Sequence, residues 1–119
     1  MPMKEMKINV KTDDQTSFTT DKIKGILDAI IIDITSDSVD DFYMSNKVKI
    51  IIESELGYFI LQRSEIDGVN YLVPRARTTT PIEDLKDFPD FQPFNLNKKL
   101  IITVIGPKNT EANFILRFL

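Results

Sequence analysis

Apolar and polar residues alternate along most of this chain. Met6, Ile8 and Val10 alternate with Lys7, Asn9 and Lys11, the period of a strand buried on one face. Thr12, Asp13, Asp14 and Gln15 form a polar turn, and residues 17–20 are expected to pair briefly after it. Val48, Ile50 and Ile52 alternate with Lys49, Ile51 and Glu53, and a second apolar run follows over 58–62. The connection Ser54-Glu55-Leu56-Gly57 carries glycine where positive φ is often required, so the two runs predict a hairpin. Tyr58 and Ile60 on one face and Phe59 and Leu61 on the other make the second arm read as a central strand. Asp67-Gly68 is another turn signal, which places 69–73 beside the hairpin as a meander. Residues 98–105 and 112–119 alternate as two closing strands, with Gly106-Pro107-Lys108-Asn109 as the turn between them.

Two periods compete in residues 22–35, the longest apolar run. Ile23, Ile26, Leu27, Ile30, Ile31 and Ile34 follow helical spacing, and Thr20 or Asp21 would cap such a helix. Against it, Ile30-Ile31-Ile32 is β-branched throughout, and Gly25 would weaken a helix interior by roughly 1 kcal/mol relative to Ala. A strand buried on both faces also reads as a continuous apolar run. The preferred reading is a central strand over 23–34; the alternative is a helix over 22–29 followed by a strand.

Residues 74–97 break the alternation with Pro74, Pro81, Pro89 and Pro93. A loop this long is unusual in a compact domain and is often functional. Thr80, Pro81 and Glu83 fit N-cap, N1 and N3 of a short helix over 81–87. Phe88, Phe91, Phe94 and Leu96 would pin the segment to the domain as a folded excursion. The pattern as a whole predicts an all-β fold: one domain over 1–119, a single β-sandwich or partly closed barrel of about seven or eight mostly antiparallel strands. An α+β domain with the helix at 22–29 is the alternative.

Composition changes this picture little. A chain of 119 residues buries roughly two thirds of its unfolded surface on folding. The 42% hydrophobic and 28% charged residues fit a globular chain and not a disordered one. With no cysteine there are no disulfides or thiolate metal sites, which fits a reducing compartment. The net charge is −3 and the cations are scattered, so no specific nucleic-acid binding is expected. No apolar run approaches the roughly 20 residues of a membrane span, and the N-terminus lacks the apolar core of a signal peptide. A protein kept in the cytoplasm, or packaged into something assembled there, is the expectation.

Chemistry is sparse. Histidine is absent, which removes the commonest general base and metal ligand. Glu53 with Glu55 and Asp40 with Asp41 could pair as acid and base, but acidic loop residues are usually solubilising. Ser36 to Asp41 is dense in oxygen ligands, yet its order does not match a calcium loop. No catalytic residue, metal or cofactor is assigned, and no enzymatic activity is expected. Contact residues are the better candidates. Phe42, Tyr43 and Met44 form an apolar island between polar loops, a patch for a partner or a satellite of the core. Arg75 and Arg77 follow Pro74 just after a strand, where they can fork onto a partner's carboxylate or pair within the chain. Phe88 and Phe91 complete the set.

The run Lys22-Ile23-Lys24-Gly25-Ile26-Leu27-Asp28-Ala29-Ile30-Ile31-Ile32-Asp33, the hairpin of 48–61 and Tyr71-Leu72-Val73-Pro74-Arg75 carry a resemblance. In these segments the chain resembles small virion structural proteins of tailed bacteriophages, of the head-decoration or head–tail neck type. The resemblance implies a small β-sandwich docked on a capsid, or joining portal, adaptor and tail components in a ring. It implies partners among other virion proteins, a homo-oligomer or ring in the particle, localisation in the virion, and no membrane. A stand-alone β-sandwich binding or adaptor module, recognising a peptide or carbohydrate, is the alternative. Residues 74–97 are expected to contact the partner subunit.

Overall fold

The computed structural model describes residues 3–36, 48–66, 68–78 and 90–119. In chain order these form β1 (Lys4–Thr19), β2 (Ile23–Ser36), β3 (Val48–Ser54), β4 (Phe59–Ile66), β5 (Gly68–Leu72), β6 (Ala76–Thr78), β7 (Asp90–Gln92), β8 (Asn95–Lys98) and β9 (Leu100–Phe118). No helix occurs among the described residues. The antiparallel sheet curls into a half-barrel, while β6 and β7 pair only with each other.

The 19-residue β9 is the spine. On one side it pairs with β1 over nearly its whole length, from Lys4 opposite Phe118 to Thr19 opposite Ile101. Its other side is shared. Residues 110–118 pair with β2, and residues 100–105 pair with β3. The next layer repeats the arrangement, with β5 beside β2 and β4 beside β3. So β2 and β3 lie end to end along β9, and β4 and β5 lie end to end outside them.

The bends line up. Between the pairs Thr12–Thr110 and Asp14–Gly106, one residue of β1, Asp13, is set against three of β9, Pro107, Lys108 and Asn109. Asp14 (φ 90) and Asn109 (φ 63) take positive φ there, and Asp and Asn are the non-glycine residues that tolerate it. Gly68 (φ 64) bends the outer pair at the same level, opposite Ile34. Each crossing strand is thus kinked once, and the sheet folds its inner face onto itself. That face is nearly all β-branched or aromatic: Ile8, Val10, Ile30, Ile32, Ile34, Val48, Ile50, Ile52, Ile102, Val104, Phe114 and Leu116 form one buried cluster. Each fully buried side chain of this kind contributes about 1.5–3 kcal/mol relative to exposure.

In place of the alternative helix over 22–29, the chain enters β2 at Ile23. The helix cap is employed elsewhere: the buried Thr20 hydroxyl accepts a hydrogen bond from the Leu100 N–H at 2.9 Å and donates to the Asp21 carbonyl at 2.8 Å. This turns the corner from β1 to β2. Beyond it the first residues of β2 pair with β8, and Ile26 exchanges two backbone hydrogen bonds with Leu119. Gly25 (φ 148) sits under that exchange, where a Cβ would meet the Leu119 carbonyl oxygen at 2.2 Å. A helix here would forfeit all these partners.

Three other expectations change. Residues 12–15 and 106–109 do not reverse the chain; facing each other in register, they bend two continuous strands. The hairpin of β3 and β4 is present, closed by Ser54 and Tyr58 with Gly57 at φ 94, but β5 leaves it to pair with β2, so there is no meander. And β4 is an outer strand among the described residues, not a central one. The short helix expected over 81–87 lies outside the described residues. The excursion's two described ends are strands, β6 facing β7, with β8 returning to the main sheet.

Candidate protein interface

A folded sheet has two rims, and among the described residues both are unpaired. One is the outer edge of β1. Its exposed side chains are polar over its first half, Lys4, Glu5, Lys7, Asn9 and Lys11, and Phe18, 41% exposed, is the large apolar exception near its end. Polar ones among them engage the neighbouring strand. Asn9 Nδ2 donates to the carboxylate of Glu111 and to Asn113 Oδ1, and Glu5 lies 3.7 Å from Arg117 Nε.

The other rim is β4 followed by β5, and beside the exposed Gln62, Arg63 and Ser64 of β4 it presents large apolar side chains. Phe59 is 58% exposed, Val69 72%, Tyr71 56% and Val73 51%. On β5 the outward pair is Val69 and Tyr71, since alternate residues of a strand share a face. Beside this rim runs an open groove of about 430 Å³, lined by Phe59, Ile60, Leu61, Gln62, Arg63, Val73, Pro74 and Arg75. Arg75 Nη1 donates to the Asp28 carbonyl at 3.1 Å and to the Pro74 carbonyl at 2.7 Å. Asp28 is the bulged residue between Leu27 and Ala29, left out of the ladder to β9. Arg75 therefore ties the chain after β5 onto that bulge and satisfies its carbonyl.

The hairpin tip is a second exposed apolar feature, with Leu56 and Tyr58 outward. It is held down rather than free. The Glu55 N–H donates to the Lys99 carbonyl, the Lys99 N–H donates to the Glu55 carboxylate at 3.3 Å, and Lys98 Nζ lies 5.2 Å from the Tyr58 ring centroid. Glu55, weighed above as a catalytic carboxylate, serves here to seat the hairpin. Among the described residues no group of three potential ligands could hold a metal ion.

Of the contact residues expected from sequence, Phe42, Tyr43, Met44 and Phe88 lie outside the described residues. Arg77 on β6 and Phe91 on β7 are brought opposite each other in register, away from the main sheet. Arg75 lines the groove. Sequence reasoning missed Arg63, Phe59, Val69, Tyr71 and Val73. The alternation of 69–73 was legible as a strand, but alternation alone does not say which face meets solvent.

No family model, characterised protein or solved structure matches this chain. The functional reading therefore rests on the rims and the groove, beside the resemblance of the strand sequences.

Proposed function

We propose that the chain is a non-enzymatic structural protein of a tailed-phage virion, docked on the head or at the head–tail neck through protein–protein contacts. The observation that carries it is the exposed apolar pair on β5, Val69 and Tyr71, which stand outward on the last strand of the sheet among the described residues. Exposed aromatics and unpaired strand edges are what subunit contacts use. The resemblance of the 22–33 run and the 48–61 hairpin to phage virion proteins supplies the particle. In this reading the partners are capsid, portal, adaptor or tail subunits and further copies in a ring, with no specific nucleic acid and no membrane involved.

Labelling the protein and imaging particles from its source by electron microscopy tests this. Label over the whole head assigns a decoration protein, and label at one vertex assigns a neck component. Absence of particle-bound label overturns the proposal. The arginine-flanked groove favours a second reading, a stand-alone β binding module that recognises a peptide.

A further inference from the structure

The groove beside β4 has a feature that an ordinary surface depression lacks. Five consecutive β4 residues, Phe59 to Arg63, line it. Alternate residues of a strand face opposite sides, so a hollow on one face of a sheet is lined by every second residue. The ladder to β3 skips Ile60 between Phe59 and Leu61, and Ile60 and Leu61 are both buried, so this bulge together with the outermost place of β4 accounts for the run of five. No strand pairs with the outer edge of β4 among the described residues. The opposite wall is Val73, Pro74 and Arg75. Pro74 has no N–H to donate, so that wall cannot close onto β4 as a continuous ladder.

The lining also has a sign. Arg63 and Arg75 flank an apolar floor of Phe59, Val73 and Pro74, and no carboxylate lines the groove. In a chain of net charge −3 this is a local positive site. Among the described residues each guanidinium bonds to backbone carbonyls through Nη1: Arg63 to the Gln62 carbonyl at 3.0 Å, Arg75 to those of Asp28 and Pro74. Neither is in an ion pair among the described residues. Their remaining donors match the fork geometry of a carboxylate.

We propose that this groove takes an extended, carboxylate-bearing segment of a partner protein, added to β4 as a strand, with apolar side chains against Phe59 and Val73 and the carboxylate between Arg63 and Arg75. Main-chain hydrogen bonds give such contacts their affinity and the side-chain positions give selectivity. The proposal rests on reading the chain as a protein-contacting module and names what it contacts.

The test uses the full chain and a short capped peptide of alternating valine and aspartate, with a valine–lysine peptide as control. Saturable binding of the aspartate peptide is expected, with backbone amide NMR shifts centred on residues 59–63 and 73–75. The lysine peptide should bind at least about tenfold more weakly, a difference of about 1.4 kcal/mol. Arg63 is exposed, so Arg63→Glu should fold normally and reverse the preference. Replacing the central valine of the peptide by proline should abolish binding by removing a ladder N–H. Equal binding of both peptides, shifts that avoid 59–63, or no binding at millimolar peptide overturns the proposal. Peptide capture without particle-bound label would remove the virion assignment alone. Particle-bound label without peptide capture would remove the groove alone.

Discussion

The two rims of this sheet end the same rows of residues in opposite ways. One row crosses the outer face from Lys7 through Ile115 and Ile31 to Tyr71, and the next runs from Asn9 through Asn113 and Asp33 to Val69. Each row begins on β1 with a polar side chain and ends on β5 with an apolar one. The β1 rim carries the devices that keep edge strands apart: Lys4, Lys7 and Lys11, and a bend at Asp14. The β5 rim presents Val69 and Tyr71 to solvent on five residues of strand, with Gly68 kinking the chain before it. A short, kinked, apolar edge is too brief to template open-ended stacking, yet it is unguarded against one specific partner. The contrast teaches that one strand-wide alternation ends in a charged, guarded edge on β1 and in an exposed apolar edge on β5.

The change expected to break this contrast most completely is Gly25→Ala. The added Cβ would meet the Leu119 carbonyl oxygen at 2.2 Å, at a φ of 148 that L side chains rarely adopt. The nearest atoms are backbone of Leu119, with the Phe118 ring at 3.2 Å beside them, so no flexible side-chain tip gives way. A loss on the order of 3 kcal/mol is expected, as a lower urea midpoint with unchanged slope. With the start of β2 unseated from the end of β9, the register that carries both rims loosens. An unchanged midpoint would show that the close approach of Gly25 and Leu119 is not a constraint.

A smaller change acts on the strand that both rims share. Thr110 lies at the bend of β9, fully buried, and its hydroxyl has no hydrogen-bond partner among the described residues. Thr110→Val keeps the shape and removes the unsatisfied group, so stability should rise by about 1 kcal/mol, read from the same denaturation curve. Neither rim should change its exposure or association. A destabilised Thr110→Val would mean that the hydroxyl is satisfied in solution.

The bend itself marks the limit of what the sequence discloses. Strand positions and the inner face were legible, because Val, Ile and Leu recur at every second residue over 48–53 and 100–105. The hairpin tip at Gly57 was legible for the same local reason. The pairing partners were not. Residues 12–15 and 106–109 carry turn chemistry, and only their mutual register, some ninety residues apart in sequence, turns two reversals into one coordinated bend. For the same reason β5 looks like the third strand of a meander, since Asp67 and Gly68 signal a turn whether the chain reverses or only kinks. The rim follows that pattern. Alternation over 69–73 leaves open which face Val69 and Tyr71 take until β5 is known to lie outermost, and Arg75 was found by its local setting whereas Arg63, on the far wall of the groove, was not.

The finest test exchanges the ends of one row. Lys7 and Tyr71 lie on the same outer face, three strand spacings apart, and both are exposed. Tyr71→Lys puts a lysine guard on the β5 rim, and Lys7→Tyr removes one from β1. Each should move folding stability by no more than about 0.5 kcal/mol, because neither side chain is packed. Association should respond instead. In sedimentation at rising concentration, Tyr71→Lys should associate less than the native chain and Lys7→Tyr more. The double exchange should restore association through the other rim, detectable by which strand's amides gain protection from hydrogen exchange. If Tyr71→Lys associates as the native chain does, the apolar rim of β5 is not what associates, and contacts must come from the groove at β4 or from the hairpin tip. If the double exchange fails to restore association, the two rims differ in backbone shape as well as in side chains. The bend at Asp14, which β1 carries in its middle and β5 carries before its start, would then be the guard that matters.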